Sequence, residues 1–466
     1  MFTFNIDNHK YNHVYFIGIG GISMSALAEI LLSNGYKVSG SDMKYSPIIE
    51  KLRQKGAKIY IGHSEENIKD IDLIVYTSAI SNDNPELVKA KQLNIPTIDR
   101  ATFLGQLMKN YENSIAVAGT HGKTTTTGML SIILDNSEIS PTILLGGKLD
   151  QIGGNVKLGD NECLLTEACE YKGNFLKFYP TTGIILNIEE DHLDYFKDIN
   201  HIVDTFKDFA SLIPSNGALI INNDDEHASQ VIKKANCNVI TFGINNNSDI
   251  TATNIKFNNA GFPTFDVKIK DKLIENVTLG VMGIHNIYNS LAAIACTYNI
   301  GISTETIISS LKSYTGTHRR FETKGKVNNI TIIDDYAHHP TEIKTTLDTA
   351  KKIKANNVWC IFQPHTYTRT KALLNEFSHA FNDADKVIVT DIYAAREKDT
   401  GIIHSKDLVN KIKSQDVDVV YMKDFEDIAK YIFKNADDGD IVITMGAGDI
   451  FKVGEMLLNN QMDYSA

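Results

Sequence analysis

Short runs of apolar residues recur along the chain, and each run is followed by a segment whose apolar positions are spaced as on a helix. The runs are rich in valine and isoleucine and do not alternate with polar residues. This pattern is typical of strands that are buried on both faces of a parallel sheet. Because such strands alternate with helices, the pattern predicts an α/β fold along the whole chain. The predicted strands lie at 14–19, 73–76, 114–118, 183–186, 218–221, 330–333, 358–362, 387–389 and 441–444.

Two polar stretches divide this pattern into three segments. The first, at 109–113, precedes a new strand-loop-helix unit, and the second, at 324–329, is rich in lysine, glycine and asparagine. We therefore expect three domains, at 1–110, 111–325 and 326–466, each of ordinary domain size.

Two regions depart from the alternation of strands and helices. Residues 250–280 alternate apolar and polar positions more regularly, which indicates an antiparallel insert. Residues 243–249 are rich in asparagine, so we expect a surface loop there.

Composition and charge exclude several classes of protein. The 466 residues are 42% hydrophobic and 22% charged, as in ordinary globular enzymes. The net charge of −11 argues against a general binder of nucleic acid or membrane surfaces, so we expect neither partner. The 5 cysteines lack metal-site spacing, which favours reduced thiols in a cytoplasmic protein. We see no signal segment and no long apolar stretch, and we expect a monomer or a weak homodimer.

The strongest chemical signal is a glycine loop between the predicted strand at 114–118 and a helix-like run. Glycines let several backbone N–H groups point inward at a helix N-terminus, where they and the helix dipole favour phosphates. Lys123 can reach the terminal phosphates, and the Thr124 hydroxyl can bind Mg²⁺. Val117 stands where a standard phosphate loop has its first glycine, so a plain glycine turn is the alternative. The loop reads Gly119, Thr120, His121, Gly122, Lys123, Thr124 and Thr125.

A second glycine loop follows the first predicted strand and contains Gly20, Gly21 and Ser23. It is similar to a dinucleotide-binding fingerprint, with Ser23 at the third glycine position and Asp42 placed to bind a ribose hydroxyl. A nicotinamide cofactor, another diphosphate nucleotide and a plain turn all fit this loop. Together with the phosphate loop, it favours ATP at one loop and a nucleotide-linked substrate at the other.

Polar residues also follow other predicted strands, and the carboxyl ends of parallel strands line one crevice. Glu167 and His192 are therefore candidates to join Thr124 on Mg²⁺, although imidazole suits this ion less than oxygen. A solvated carboxylate and a structural histidine are the alternatives. Asn286 and Asn289 share one helix face and can read an adenine edge, unless Asn286 only caps the helix.

The last third of the chain carries three more polar clusters. Arg319 and Arg320 can clamp a phosphate, because guanidinium matches phosphate geometry, and a surface basic pair is the alternative. Two acids, a tyrosine and two histidines stand at 334–339, where adjacent histidines argue against a zinc site. A third cluster, at 363–369, follows the strand at 358–362.

Taken in order, these motifs resemble those of the Mur ligases of peptidoglycan synthesis over essentially the whole chain. The resemblance implies a Rossmann-like N-terminal domain for the UDP part of the substrate and a central P-loop ATPase-type α/β domain. It also implies a C-terminal Rossmann-like α/β domain that contacts the amino acid and adenosine. The motifs are GIGGISMS at 18–25, GTHGKTT at 119–125, EACE at 167–170, NIEEDH at 187–192, GIHNIYN at 283–289, THRRF at 317–321, DDYAHHPTE at 334–342 and QPHTYTR at 363–369.

The resemblance implies ligation of L-alanine to UDP-N-acetylmuramate with ATP and Mg²⁺. The lactyl carboxylate would become an acyl phosphate, which the amine of alanine attacks, giving UDP-N-acetylmuramoyl-L-alanine, ADP and phosphate. A close alternative is a ligase that couples a tripeptide to the same UDP-sugar during murein recycling, and the sequence at 334–336 favours alanine. A nicotinamide-dependent oxidoreductase and a non-catalytic nucleotide sensor are alternatives from other classes.

The family pattern also implies roles for individual residues. The implied catalytic set is Lys123, Glu167, His192 and Arg320, and the implied Mg²⁺ contacts are Thr124, Glu167 and His192. The implied ATP contacts are Gly119, Thr120, Gly122, Lys123, Thr124, Thr125, Asn286, Asn289, Arg320 and Asp335. Gly20, Gly21, Ser23 and Asp42 fall at the UDP end, and His121 falls near the muramoyl group. Tyr336, His338 and Arg369 fall near the amino acid.

One position departs from part of the family. Some sequences of this kind carry arginine where this chain has Thr366. Arg369 is then the candidate partner for the carboxylate of alanine.

Overall fold

The computed structural model describes residues 3–270 and 272–459. The outer ends of the first and third expected domains, at 1–2 and 460–466, therefore lie outside the described residues. The chain packs as two compact units, which we describe separately. The first comprises Met1–Ile188, Asn200–Ile250 and Ser290–Ser310, and the second comprises Glu189–Ile199, Thr251–Asn289 and Leu311–Ala466. Each helix of the described residues is too short or too polar to cross a membrane.

The first unit begins with a parallel five-stranded sheet in the order β3-β2-β1-β4-β5. The strands are β1 (His13–Ile17), β2 (Lys37–Asp42), β3 (Lys58–Ile61), β4 (Leu73–Tyr76) and β5 (Thr97–Asp99). The helices are α1 (Ile22–Ser33), α2 (Pro47–Gln54), α3 (Pro85–Gln92) and α4 (Arg100–Met108). The central strand β1 is buried along its whole length, as the apolar run predicts. The order of the strands reverses between β1 and β4, which places the first glycine loop at a switch point of the sheet.

Seven further strands of the first unit lie in the order β12-β11-β10-β6-β9-β7-β8. They are β6 (Asn113–Ala118), β7 (Pro141–Leu149), β8 (Gly154–Lys157), β9 (Cys163–Glu167), β10 (Thr182–Ile185), β11 (Ala218–Asn222) and β12 (Asn238–Gly243). The helices are α5 (Lys123–Asp135), α6 (Ile199–Ser211) and α7 (Glu226–Ser229). Only β8 pairs antiparallel in this set. The neighbouring strands β6, β9 and β10 deliver the phosphate loop, Glu167 and Asn187 to one edge.

The region predicted as an antiparallel insert forms three successive strands. They are β13 (Ile250–Phe257), β14 (Pro263–Ile269) and β15 (Lys272–Thr278). Strands β14 and β15 pair antiparallel, which confirms the prediction for this region. Helices α8 (Ile284–Asn299) and α9 (Thr304–Ser313) follow.

The last sheet, in the second unit, has the order β16-β17-β21-β18-β19-β20. Its strands are β16 (Glu322–Val327), β17 (Ile330–Asp335), β18 (Val358–Phe362), β19 (Lys386–Val389), β20 (Val419–Tyr421) and β21 (Ile441–Met445). Its helices are α10 (Pro340–Lys351), α11 (Tyr367–Ala372), α12 (Leu374–Ser378), α13 (Ser405–Lys413), α14 (Phe425–Asn435) and α15 (Phe451–Asn459). Separate cores form on its two faces, one with Leu347, Phe377 and Leu408 and the other with Ile428 and Val453. Each such buried side chain stabilises the fold by about 1.5–3 kcal/mol.

The polar stretch at 324–329, expected above to mark a domain boundary, overlaps a strand. Residues 322–327 form β16, which pairs antiparallel with β17. An edge strand exposes much of its surface, so its polar composition is compatible with a strand as well as with a linker.

The predicted strands agree with the observed ones to within one or two residues at their ends. The first prediction, 14–19, extends too far, because β1 ends at Ile17 and Gly18 adopts a φ of +82°. That backbone conformation opens the glycine loop.

Candidate active site

The phosphate loop of the first unit is braced by Asn187, which follows β10. The N–H of Thr120 donates to the Asn187 carbonyl (3.1 Å), and the N–H of His121 donates to Asn187 Oδ1 (2.8 Å). Asn187 Nδ2 donates back to the His121 carbonyl (3.1 Å). Gly119, at a φ of +139°, lies so close to the next strand that a Cβ would sit 3.0 Å from Leu186 Cβ. Loop and strand end are therefore fixed to each other.

Lys123 is the first residue of α5, and its ammonium group has several partners. Nζ donates to the carbonyls of Gly119 and Thr120 (3.1 Å to Thr120) and lies 3.1 Å from Glu170 Oε2. The Glu170 side chain is only 3% exposed. Burial is the largest single effect and lowers the pKa of Lys123, but Glu170, Cys169 and Glu167 together outweigh it, and the pKa is raised. Lys123 therefore stays protonated near neutral pH.

Thr124 and Glu167 form an oxygen pair beside Lys123. The Thr124 hydroxyl donates to Glu167 Oε2 (3.0 Å), and the N–H of Gly146 on β7 donates to Glu167 Oε1 (2.7 Å). The structure thus brings together two of the three residues expected to contact Mg²⁺. A hydroxyl and a carboxylate are ligands that this ion accepts readily.

The first glycine loop is held by Asp42, the last residue of β2. The N–H of Gly20 donates to Asp42 Oδ2 (2.9 Å), and a Cβ at Gly20 would lie 2.8 Å from the same oxygen. Asp42 therefore fixes the loop, a role the sequence interpretation did not assign to it. Ser23 lies in the first turn of α1, and its hydroxyl accepts a hydrogen bond from Arg100 Nη1 (3.0 Å).

In the second unit, Asn286 and Asn289 lie on one face of α8, as their spacing predicts. Asn289 Nδ2 donates to Asn286 Oδ1 (3.0 Å), and Asn286 Nδ2 donates to the Met282 carbonyl (2.6 Å). Both side chains are buried. The helix begins at Ile284, so Asn286 is inside its first turn and is not the capping residue.

The two arginines at 319 and 320 have different surroundings. Arg319 donates through Nε to Asp334 Oδ2 (3.0 Å) and through Nη2 to the Gly446 carbonyl (2.6 Å). The guanidinium of Arg320 lies over the Tyr336 ring, 5.1 Å from its centre. Arg319 therefore ties together strand ends within this unit, whereas Arg320 is the arginine that the family pattern assigns to phosphate.

Asp335 ends β17 and is almost fully buried. Its carboxylate accepts hydrogen bonds from the N–H groups of Phe321 and Ala337, each 2.7 Å long. Burial raises the pKa of Asp335 to about 6, although nearby Arg320 lowers it.

Arg369 on α11 is the centre of an ionic cluster. Its Nε (3.1 Å) and Nη2 (2.9 Å) both donate to Asp191 Oδ1, and its Nη1 donates to His365 Nδ1 (3.1 Å). His338 stacks edge-on against His365, with ring centres 5.7 Å apart. The resemblance implies Arg369 as a partner of the amino acid, and the structure shows this guanidinium already paired with a carboxylate. His192, adjacent to Asp191, belongs to the same unit.

The charges of this cluster hold its titratable groups in fixed states. Burial alone raises the pKa of Asp191, but the surrounding basic residues, with His192 and Arg369 as the strongest, together outweigh it and hold the pKa well below its usual range. Burial lowers the pKa of His338 to about 4, and burial together with His338 and Arg369 lowers that of His365 to about 3. At neutral pH the cluster is therefore one ion pair with two neutral imidazoles.

Thr366, the position flagged by its departure from part of the family, has an unusual backbone. Its φ is +64° and its ψ is 146°, a region that essentially only glycine occupies without strain. Its N–H donates to the Tyr393 carbonyl (2.9 Å), and its hydroxyl accepts from the N–H of Arg369 (3.4 Å). Thr366 thus begins the helix that carries Arg369.

Four residues with these contacts had no role in the sequence interpretation, namely Glu170, Asn187, Asp191 and Arg100. The first three lie inside the motifs at 167–170 and 187–192. Those motifs indicate a functional region but not which side chain each residue contacts. Arg100 lies outside every quoted motif.

Three family models match consecutive parts of the chain. The model described as Mur ligase family, catalytic domain, matches residues 13–112. The Mur ligase middle domain matches residues 117–297, and the Mur ligase glutamate ligase domain matches residues 319–448. Together they cover most of the chain.

Curated relatives are similar over nearly their whole length. A UDP-N-acetylmuramate–L-alanine ligase of Acetivibrio thermocellus is 58% identical over 457 residues, 98% of this chain and 97% of that protein. A protein of the same name from Alkaliphilus metalliredigens is 54% identical over 458 residues, 98% and 99% of the two chains.

Solved structures show the same similarity. The UDP-N-acetylmuramate-alanine ligase MurC of Thermotoga maritima has a TM-score of 0.81 at 30% identity, covering 96% of this chain and 98% of that chain. A murein peptide ligase of Psychrobacter arcticus has a TM-score of 0.74 at 28% identity, covering 97% and 99%.

Proposed function

This chain belongs to the Mur ligase family, and we propose that it joins L-alanine to UDP-N-acetylmuramate with conversion of ATP to ADP and phosphate. The observation that carries the proposal is the 58% identity, over 98% of the chain, to a relative named for this reaction. The fold alone does not identify the amine substrate, because a murein peptide ligase has the same fold. The product is UDP-N-acetylmuramoyl-L-alanine, a precursor of peptidoglycan.

We assign ATP to the phosphate loop and to a set of residues in the second unit. Protonated Lys123 is suited to the γ-phosphate, because its Nζ carries a positive charge and already donates to a carboxylate and two carbonyls. Thr120, Gly122 and Thr125 belong to the same loop and helix start. Asn286 and Asn289 are assigned to adenine, Asp335 to the ribose and Arg320 to the phosphates.

We assign Mg²⁺ to Thr124, Glu167 and His192. The hydroxyl and carboxylate of the first two lie 3.0 Å apart and are hard oxygen ligands, which fits the ion. When bound, the ion neutralises negative charge on the transferring phosphates.

The UDP end of the sugar substrate is assigned to the first glycine loop, with Gly20, Gly21, Ser23 and Asp42. A loop at the N-terminus of α1, at a switch point of a parallel sheet, suits a diphosphate. His121 is assigned to the muramoyl group, and its backbone is fixed by Asn187.

The amino acid is assigned to Tyr336, His338 and Arg369. Arg369 is the candidate to bind the carboxylate of alanine. In this structure two of its nitrogens, Nε and Nη2, donate to Asp191. Asp191 therefore orients the guanidinium. The carboxylate of alanine has to bind the same guanidinium beside Asp191 or displace Asp191 from it.

The reaction brings together two anions, the lactyl carboxylate and the triphosphate. Lys123 and Arg320 carry positive charge that offsets this repulsion and stabilises the transferring phosphoryl group. The carboxylate oxygen attacks the γ-phosphorus, ADP leaves, and the acyl phosphate forms. The amine of alanine then attacks the acyl carbon, and phosphate departs as the amide forms.

We place the reaction in the cytoplasm, where ATP is available and thiols stay reduced. All 5 cysteines are free, which agrees with that compartment.

Release of ADP with different amines tests the proposal. The assay contains ATP, Mg²⁺ and UDP-N-acetylmuramate, with L-alanine, glycine, L-serine or the murein tripeptide added separately. We expect the highest kcat/KM with L-alanine and no steady release without an amine. Preference for the tripeptide would overturn the choice of amine. Oxidation of NADPH without ATP turnover would overturn the class of enzyme.

A further inference from the structure

Arg100, the first residue of α4, has no part in the assignments above. Its Nη1 donates to the Ser23 hydroxyl on the first glycine loop (3.0 Å). The side chain is partly buried, and burial lowers its pKa. Arginine nevertheless stays protonated in proteins, so a full positive charge stands beside this loop.

Within the described part of the chain, no carboxylate lies at ion-pair distance from the Arg100 guanidinium. The neighbouring acid, Asp99, raises the pKa of Arg100 electrostatically, but its hydrogen bonds and its ion pair go to other groups. It accepts from the N–H groups of Ala101 and Thr102 (both 3.1 Å) and pairs with Lys177 (2.9 Å). Among the described residues, the Ser23 hydroxyl is the one hydrogen-bond partner of the Arg100 side chain. A partly buried cation with a neutral partner is costly unless a ligand supplies an anion.

The position of Arg100 is fixed by the packing of α4. Asp99 caps the helix, and its contact with Lys177 joins the helix start to the segment Tyr171–Lys177. Farther along the helix, Gly105 lies against the same segment, where a Cβ would be 1.9 Å from the Lys177 carbonyl oxygen. Arg100 is therefore held beside the glycine loop rather than free to turn toward solvent.

Arg100 also interacts electrostatically with other residues of the same unit. Cys169, next to Glu170, is among the groups that act on it electrostatically. The guanidinium thus contacts the first glycine loop and lies within electrostatic range of Cys169 in the motif at 167–170.

We propose that Arg100 binds the diphosphate of the UDP-sugar, an inference that rests on the proposed function. A guanidinium has five N–H donors in a planar fork that matches phosphate oxygens, and Ser23 uses one of them. The N-terminus of α1 lies alongside, and its capping residue, Gly21, has no side chain to satisfy the first N–H groups. Ser23 orients the guanidinium, and the diphosphate supplies an anion in direct contact with it.

The lactyl carboxylate is a second anion of the same substrate, and the two sources are separable by ligand choice. Uridine lacks both anions, UDP has only the diphosphate, and UDP-N-acetylmuramate has both. The experiment measures the dissociation constants of these three ligands by calorimetry, for the full wild-type chain, Arg100→Gln and Arg100→Lys.

For Arg100→Gln we expect a loss of UDP affinity of roughly ten- to a hundredfold, as for a charge-assisted hydrogen bond, with unchanged uridine affinity. Arg100→Lys keeps the charge without the fork and should fall between wild type and Arg100→Gln. The KM for UDP-N-acetylmuramate should rise in the same order, while the KM for ATP stays within about twofold, since no phosphate contact to ATP is removed. Arg53→Gln is the matched control, because Arg53 lies on α2 and donates to the Ile59 carbonyl.

Equal affinity of Arg100→Gln and wild type for UDP would overturn the proposal. A loss of affinity confined to UDP-N-acetylmuramate would also overturn it, because Arg100 would then bind the lactyl carboxylate and not the diphosphate. A purely structural role would lower the affinity for uridine and ATP together with that for UDP. If wild type itself fails to bind UDP, the proposed function fails instead.

Discussion

The phosphate loop of the first unit and the Arg369 cluster of the second unit both hold a cation against a buried carboxylate, but they do so differently. Lys123 lies 3.1 Å from Glu170 and also donates to backbone carbonyls. Arg369 uses three of its nitrogens on Asp191 and His365. A lysine ammonium is a compact charge on a flexible stem, whereas the guanidinium is a rigid fork.

The difference indicates how each region is expected to receive its ligand. Lys123 can move toward a phosphate by rotating its flexible side chain. Arg369 has no comparable freedom, because its donors are already directed at specific atoms. We infer that the first region is prepared for a strong anion, whereas alanine meets a site whose arginine is neutralised.

The largest expected effect is on turnover at the phosphate loop. Lys123→Ala and Glu167→Ala should each lower kcat at least ~10²-fold, because the first removes a positive charge that stabilises phosphoryl transfer and the second removes a proposed ligand of Mg²⁺. Release of ADP at saturating substrates measures this. Lys148→Ala is the control, because Lys148 is an exposed residue of the same unit, paired with Asp150. A Lys123→Ala enzyme with near-normal kcat would contradict the assignment.

The second prediction compares the two carboxylates by stability. Asp191→Asn should lower the free energy of unfolding by roughly 2 kcal/mol, because hydrogen bonds to charged groups contribute about 1.5–3 kcal/mol. Arg369 would then be left with a neutral partner. Glu170→Gln should cost less, since Lys123 retains its carbonyl partners. Differential scanning calorimetry of both variants measures the shift in Tm. A larger shift for Glu170→Gln would reverse the comparison.

The Asp191 pair also has a defined pH dependence. Because the folded pKa of Asp191 is depressed, its stabilisation is present above the unfolded value of about 3.9 and is lost as the pH falls below it. The Tm difference between wild type and Asp191→Asn should therefore shrink below about pH 4. A constant difference would argue against the ion pair.

A third prediction concerns His338, whose pKa is lowered to about 4. Between the unfolded value of about 6.5 and the folded value, the unfolded chain binds the extra proton, so stability falls as the pH falls. The Tm of wild type should drop more steeply from pH 6.5 to 4 than that of His338→Gln. Asp335, with a raised pKa, acts in the opposite direction in wild type and variant alike, so their difference isolates the histidine. Parallel curves would contradict a neutral, buried His338.

The smallest expected effect is at Thr366. In a helix or strand interior, a protein with alanine is more stable than one with glycine by roughly 0.5–1 kcal/mol. At position 366, however, a φ of +64° favours glycine. Both substitutions remove the capping hydroxyl, so Thr366→Gly should have the higher Tm of the two variants. A more stable Thr366→Ala would show that the backbone there is unstrained.

The sequence predicted the parts of the fold that depend on local pattern. The strand at 114–118, the glycine loop and helix α5 follow one another in the chain, so their motif indicates a phosphate site without knowledge of distant residues. The edge strand β16 was missed because its sequence is polar and lacks the apolar run that marks the other predicted strands.

The partners of charged residues could not be predicted in the same way. Glu170 is 47 residues from Lys123, and Asp191 is 178 residues from Arg369. A single sequence gives no distance between such positions, so the neutralised state of Arg369 became visible only in the folded chain. Arg100 was missed for the same reason, since its contact with Ser23 spans 77 residues.

The most direct test of the central claim follows one oxygen atom through the reaction. The lactyl carboxylate of UDP-N-acetylmuramate is labelled with oxygen-18, and the enzyme is supplied with ATP, Mg²⁺ and L-alanine. If the carboxylate attacks the γ-phosphorus, one labelled oxygen must appear in the released phosphate, as mass spectrometry would show. Unlabelled phosphate, released together with ADP and amide product, would contradict the acyl phosphate and the assignment of the phosphate loop to its formation.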